Sequence, residues 1–372
     1  MEFGFAHCYH LHLSLLPFDT GSFETRLDKA YAMMKKAGAT FFRPHIHWNR
    51  VEPFIYRPGL RVEDVTEEMI EAYAAGAWEG VFWDETDMMI NKMLEHGIKP
   101  FLCLGAGYLH QLPMFESKKN ILPFNPSYIH PEIYLGHLYL HARASVRRYK
   151  DRCRHWQLEN ELNEAGETTV VMKWRRGLKW FSRRFQLALM ETLHRAVKKE
   201  DPGSLTSHNV CGMGYKVIPG LYDWKRDMKL WDKYMDIVGF DPFPNYLSGD
   251  PITIGKVVSK IMRDLKKMNL GKPIYILEDG YPVKPAGKGF SEERQVQYYR
   301  ELLETCEETG VDGVFIYCFS SQEGAPGNEW HRQRRILDVE DWWGVVRADG
   351  STRPAYDYLV ERNKRKTREE IR

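Results

Sequence analysis

The chain carries little excess charge of either sign: 53 Lys and Arg stand against 51 Asp and Glu, a formal net charge of +2. Proteins that hold nucleic acid or a membrane surface by charge usually show a large basic excess, so this balance argues against both partners. No apolar run reaches about 18 residues, which excludes an ordinary transmembrane helix. Met1-Glu2-Phe3-Gly4 has neither a basic segment nor a signal-peptide cleavage pattern behind it. Cysteine is sparse, six residues in 372 with no CxxC spacing, so neither a zinc site nor a disulfide scaffold is expected. Cys103 and Cys318 lie inside apolar runs, the setting of a reduced, buried thiol. Together these absences point to the cytosol. Aromatic residues are plentiful, at 13% with 11 Trp and 20 Tyr.

At roughly 150 residues per domain the length allows two domains, or one large α/β barrel. Eight short runs rich in apolar, β-branched or aromatic residues read as buried parallel strands: 3–9, 40–47, 99–104, 155–161, 205–210, 237–241, 274–278 and 314–319. Amphipathic segments follow them at 24–37, 85–96, 131–149, 178–200, 223–234, 254–268, 292–309 and 353–365. Ser291 before Glu292 reads as an N-cap with acidic residues in the first turn. Eight strand–helix units predict a single (β/α)8 barrel domain over 1–372. The helix-to-strand links are short, as at Gly97-Ile98 and Gly271-Lys272-Pro273, whereas the strand-to-helix links are long, with insertions near 49–84, 105–130 and 320–352. In a barrel the long links all lie at the C-terminal mouth, so one face is elaborated and the other trimmed, as an enzyme or ligand binder requires. The charge-dense tail 361–372 reads as a solvated last helix.

Three strand ends carry chemistry. The fourth runs His155-Trp156-Gln157-Leu158-Glu159-Asn160-Glu161, an otherwise buried element crowded with polar groups at its C-terminal end. The seventh, Ile274-Tyr275-Ile276-Leu277-Glu278-Asp279-Gly280, is apolar until it stops at a carboxylate. The second ends Phe41-Phe42-Arg43-Pro44-His45-Ile46-His47-Trp48. Carboxylates on strands four and seven face each other across a barrel mouth, and glycoside hydrolysis needs such a pair. Arg43 is expected near Glu278, holding it ionised. Burial and mutual repulsion are expected to raise the pKa of Glu161 and fit it to serve as an acid.

This pattern resembles the clan A glycoside hydrolases, retaining (β/α)8-barrel enzymes. The resemblance rests on Asn160-Glu161, on Leu277-Glu278-Asp279-Gly280-Tyr281-Pro282, on Arg43 followed by Trp48 and Glu52-Pro53, on Gly97-Ile98-Lys99-Pro100, and on Trp343-Gly344 through Arg353-Pro354-Ala355-Tyr356; it spans about residues 40–358. It implies Glu161 as acid/base, Glu278 as nucleophile and Asn160 on the sugar 2-hydroxyl, with carbohydrate as substrate and no cofactor. Arg43, His47, Trp48, Tyr246, Trp330 and Trp343 are the further substrate-binding candidates, and at least one of Trp48, Trp330, Trp342 and Trp343 is expected to offer an exposed ring face to sugar. The chain departs from many relatives after strand three (Leu104-Gly105-Ala106-Gly107), after strand six (Asp241-Pro242-Phe243-Pro244-Asn245-Tyr246) and at strand eight (Cys318-Phe319-Ser320-Ser321), which leaves the family within the clan and the sugar open.

Two other readings stand beside this one. A catalytically inactive, carbohydrate-binding barrel would displace Glu161 or Glu278 from the mouth. A metal-dependent barrel hydrolase or isomerase would use histidines: His45 and His47 share a strand face by their spacing, and His7, His10 and His12 cluster near the N-terminus. Hydrogen bonding to hydroxyls is the simpler use of His47, and no metal is expected. Glu159, with the parity of Glu161, reads as an arginine partner or support for the site, and Glu164 as a solvated loop acid.

Overall fold

The computed structural model describes residues 1–8, 21–55, 59–105, 114–117, 120–123, 130–163, 183–211, 224–323, 339 and 341–371. Its strands, in chain order, are β1 (Glu2–Phe5), β2 (Phe41–Phe42), β3 (Phe54–Ile55), β4 (Lys99–Cys103), β5 (Met114–Ser117), β6 (Asn120–Pro123), β7 (His155–Gln157), β8 (Leu205–Cys211), β9 (Ile237–Asp241), β10 (Ile274–Asp279) and β11 (Gly313–Ile316). Eight of them close into a barrel in the order β1-β11-β10-β9-β8-β7-β4-β2, every neighbouring pair parallel. The fold is the (β/α)8 barrel. The remaining three strands form a small sheet, β3-β5-β6, built from the long links after the second and third barrel strands.

Helices start and stop where the sequence carries caps. Ser22, Thr66 and Ser291 each accept a backbone N–H of the first turn behind them, and Asn269 and Gly310 end their helices in the left-handed conformation. Helix Ile254–Met268 buries Ile254, Val258, Ile261, Met262 and Leu265. That helical spacing makes one stripe against the barrel, with about 1.5–3 kcal/mol from each large apolar side chain.

The barrel interior explains where chemistry can sit. Phe41, Phe101, Ile237, Tyr275, Leu277 and Phe315 form a cluster separate from the outer core. Phe41 meets Phe315, and Phe101 meets Tyr275, between strands that are not neighbours, so these rings plug the centre. Two residues further along their strands, on the same face by the pleat, come Arg43 after Phe41, Cys103 after Phe101 and Gln157 after His155. A polar layer thus lies directly above an aromatic floor.

One strand breaks the alternation. Between β10 and β11 the register shifts, with Ile276 opposite Val314 but Asp279 opposite Ile316, so β10 holds one extra residue. A single inserted residue exchanges the two faces of a strand. Tyr275 and Leu277 point into the barrel, and simple alternation would send Asp279 after them. Instead Glu278 turns inward to Arg43, and Asp279 turns outward to accept the Tyr298 hydroxyl at 2.8 Å.

Candidate active site

Arg43 organises the polar layer. It is fully buried, and its guanidinium makes three side-chain bonds: Nε to Gln157 Oε1 at 2.5 Å, Nη1 to Glu278 Oε1 at 2.7 Å and Nη2 to Asn160 Oδ1 at 2.6 Å. The planar fork of arginine permits this simultaneous reach. Asn160 Oδ1 also accepts Asn209 Nδ2 at 2.9 Å and Gln157 Nε2 at 3.1 Å. Three donors on one oxygen set the orientation of that amide and turn its N–H groups to the opposite side.

Asn209, on β8, ties the acid loop to the sixth barrel strand. Its Oδ1 accepts the backbone N–H of Glu161 at 2.9 Å, and its Nδ2 donates to the Asp241 carboxylate as well as to Asn160. Glu161 has φ 44°, a left-handed conformation that is uncommon for a residue with a side chain and persists only where neighbours hold it. Asp241 Oδ1 accepts the backbone N–H of Glu278 at 2.8 Å. One carboxyl oxygen each from Glu161, Asp241 and Glu278 lies within 4.8 Å of the others. Burial and the neighbouring Glu278 push the Asp241 carboxyl well above the usual carboxylate range, against the lowering effects of Arg43 and of hydrogen bonds from Glu161 and Asn209.

A supporting layer surrounds these groups. Glu159 Oε1 accepts the backbone N–H of Asn160 at 2.9 Å, and its carboxyl occupies the space a Cβ on Gly105 would take, 2.2 Å from that position. Its own carbonyl oxygen lies 2.6 Å from His208 Nδ1; burial pushes the His208 imidazole down to about 3, so it is neutral. Asp279 accepts the Phe243 backbone N–H at 3.0 Å and the Tyr298 hydroxyl, and burial pushes its carboxyl up to about 8. Phe243 is itself left-handed, with φ 36°.

The structure brings Arg43, Asn160, Glu161 and Glu278 together. His47 is half-buried at the start of helix Trp48–Val51 and lines a recess with His7, His45, Arg50 and Glu85. Tyr246 is half-buried against Trp343, with centroids 5.6 Å apart. The exposed platform expected of tryptophan is not at Trp48 or Trp343, each 1% exposed. Trp48 stacks on His141 and donates to Glu52 at 2.9 Å, which places it in the packing behind the barrel wall. Trp343 is wedged edge-on against Phe243 and Tyr317. Trp342 is half-buried with the Lys284 ammonium 4.1 Å over its ring. Trp330, Glu164, His10 and His12 lie outside the described residues.

Among the described residues, the three carboxylates are the one grouping with the spacing of metal ligands, and no histidine joins it. The Arg43 guanidinium meets the Glu278 member of that group at 2.7 Å. His45 and His47 stand with their ring centroids 6.4 Å apart.

Three residues of this layer escape a reading by motif: Gln157, Asn209 and Asp241. Asp241 carries the same signal that marks Glu278, an apolar strand stopping at a carboxylate. Asn209 is foreshadowed by Thr206-Ser207-His208-Asn209, a polar run in a buried strand.

No family model and no curated protein matches the chain. Solved structures match it in fold. A family 39 glycoside hydrolase from the gut symbiont Bacteroides cellulosilyticus WH2 superposes with a TM-score of 0.59 at 16% identity, over 97% of this chain and 62% of that one. An exo-β-1,4-mannosidase from Opitutaceae bacterium strain TAV5 gives 0.63 at 16%, over 99% and 60%. GH5_18 from Streptomyces cattleya, solved in complex with GlcNAc, gives 0.62 at 12%, over 99% and 80%. The chain shares its barrel with glycoside hydrolases of several families. It spans about three fifths of the length of the first two of these relatives, and at such identities the likeness is one of fold.

Proposed function

We propose that this barrel is a retaining β-glycosidase acting on β-linked glycosides or oligosaccharides. The observation that carries the reading is the pairing of Glu161 with Glu278, carboxyl oxygens within 4.8 Å, at the C-terminal mouth. Double displacement needs two carboxyls facing one anomeric centre, about 5–5.5 Å apart, and oxygens that approach this closely are compatible with that spacing. The barrel shared with glycoside hydrolases agrees with this chemistry.

In this reading Glu278, favoured as an anion by the Arg43 guanidinium, attacks the anomeric carbon while Glu161 protonates the leaving oxygen. Water then enters, Glu161 takes its proton, and the glycosyl ester on Glu278 is hydrolysed. Asn160, its carbonyl fully engaged, offers its N–H groups to a sugar hydroxyl. Tyr246 and Tyr317, both half-buried beside Trp343, supply aromatic surface for a sugar ring.

The test is a panel of nitrophenyl glycosides run with short β-linked oligosaccharides, following by NMR the anomer released first. The expected result is turnover of at least one β-glycoside with a β-product. An α-product would exclude the double displacement. A panel without turnover, together with sugar binding in calorimetry, would instead make the chain a binding protein.

A further inference from the structure

The parallel ladder between β7 and β8 pairs Gln157 with Ser207 and closes with the Leu158 N–H on the Ser207 carbonyl at 2.8 Å. Beyond that bond, side chains tie the chain around Glu161 to β8. His208 Nδ1 lies 2.6 Å from the Glu159 carbonyl oxygen. A carbonyl only accepts, so the imidazole, kept neutral by burial, carries its proton on Nδ1. Asn209 Oδ1 accepts the Glu161 N–H at 2.9 Å. Asn163 then reaches back to the last residue of β8: its Nδ2 donates to the Cys211 carbonyl at 2.9 Å, and its Oδ1 accepts the Cys211 N–H at 3.1 Å. The side-chain amide does here what the peptide of a neighbouring strand would do. Both residues are buried, and buried backbone groups require such partners.

Residues 159, 161 and 163 are thus tied in turn to 208, 209 and 211. The middle one is Glu161, whose φ of 44° persists only where neighbours impose it. With the chain held on either side, the side chain of Glu161 leaves the backbone in one direction, and a carboxyl oxygen comes within 4.8 Å of one on Glu278. Among the described residues Asn163 bonds only with Cys211. It stands outside the network of Arg43.

We propose that Asn163 is a positioning residue for the acid: with Asn209 it clamps the chain on both sides of Glu161 and sets the direction of that carboxyl. This rests on the glycosidase reading above. In that reading protonating the leaving oxygen and deprotonating the water both pass through Glu161 and need hydrogen-bond reach, whereas Glu278 is held separately, by Arg43. Loosening the clamp therefore impairs the two proton transfers and spares the nucleophile.

Two variants test this. Asn163→Ala removes both bonds, and Asn163→Asp, of the same size, keeps the acceptor for the Cys211 N–H and loses the donor. In kcat/KM, alkyl glycosides should lose at least about tenfold with Asn163→Ala, and dinitrophenyl glycosides, whose leaving groups need little protonation, less than about threefold. Asn163→Asp should show the same ordering with smaller losses. Azide, which attacks without a base, should raise kcat of both variants on a dinitrophenyl glycoside, at least about threefold for Asn163→Ala, and give the β-glycosyl azide while leaving the wild type unchanged. Equal losses for both substrates without azide acceleration would overturn the proposal as a merely structural effect. Hydrogen exchange needs no substrate. In Asn163→Asp, exchange within 158–163 should rise at least about tenfold while β4 and β9 exchange as in the wild type. A uniform rise across the barrel, or none in that segment, would also overturn the clamp. A wild type that cleaves no glycoside would sink the glycosidase reading, and exchange would still decide whether Asn163 holds the chain.

Discussion

The Arg43 guanidinium and the Glu278 carboxylate meet at 2.7 Å, the arginine side chain wholly enclosed and the glutamate side chain 11% exposed. The partners come from barrel strands on either side of β1 and β11, so the pair forms only when the barrel closes. It joins a loop-end arginine to the carboxylate read as nucleophile and carries Gln157 and Asn160 with it.

Removing that arginine should cost both stability and rate. Arg43→Met leaves a buried carboxylate without its partner and should lose about 3–5 kcal/mol, seen as a lower midpoint in urea. Arg43→Lys keeps the charge but cannot span Gln157, Glu278 and Asn160 at once. It should stay folded and lose about a hundredfold or more in kcat/KM, because Asn160 and Glu278 are no longer held together. A lysine variant at wild-type rate would show that charge alone suffices.

The two glutamates should separate by anion rescue. Glu278→Gln should abolish turnover with folding intact, since the amide cannot form the glycosyl-enzyme. Glu161→Gln should still react with an activated leaving group and accumulate the intermediate for want of a base. Azide should then yield a β-glycosyl azide from Glu161→Gln, and an α-azide from Glu278→Ala by attack at the vacated face. Exchanged stereochemistry would reverse the assignments.

Asp279 should imprint a pH dependence on stability. Its folded value, pushed up by burial to about 8, lies above the ordinary 3.8. Between those values the folded protein keeps a proton that the unfolded chain releases, so the contribution is complete below the lower value and is lost as pH rises toward the upper one. Asp279→Asn can still accept from Phe243 and can donate to the Tyr298 hydroxyl. It should flatten the fall in unfolding free energy between about pH 5 and 7 by up to about 1.4 kcal/mol per pH unit, measured by denaturant titration. Parallel curves for the two proteins would show that Asp279 does not hold the proton.

Gly105 should resist even alanine. A Cβ there would sit 2.2 Å from the Glu159 carboxyl, which in turn accepts the Asn160 N–H. Gly105→Ala should cost about 1–3 kcal/mol as overpacking, and should lower kcat through the displaced Asn160-Glu161 segment. Unchanged melting and unchanged rate would mean that Glu159 moves aside freely.

Much of the architecture is legible in the one-dimensional pattern. The eight barrel strands fall within or beside the eight apolar runs, and helices Pro131–Tyr149, Ile254–Met268 and Glu292–Thr309 match their expected spans. Apolar period, caps and turn residues are local signals, and local signals survive without a fold. Glu161, Glu278, Arg43 and Asn160 stand out for a related reason: a polar residue that ends a buried strand is conspicuous wherever the chain goes next. Tryptophan misleads because its type does not say which side of the wall it packs on. Trp48 and Trp343 fill cores that only neighbouring elements create.

By itself, then, the sequence determined a barrel of eight strand–helix units, its elaborated face, and the strand ends at which carboxylates meet. The sequence singles out Glu278 over its neighbour Asp279, and the tertiary structure alone decided how Glu278 comes to enter the mouth. Simple alternation from Tyr275 and Leu277 would send Asp279 inward, and the extra residue in β10, visible only in its pairing with β11, turns Glu278 inward instead. It also decided that Asp241, 80 residues from Glu161 in sequence, brings a carboxyl oxygen within 4.8 Å of those of Glu161 and Glu278. Contacts between distant strands are set by closure and register, and neither is written in the periodicity of any one strand.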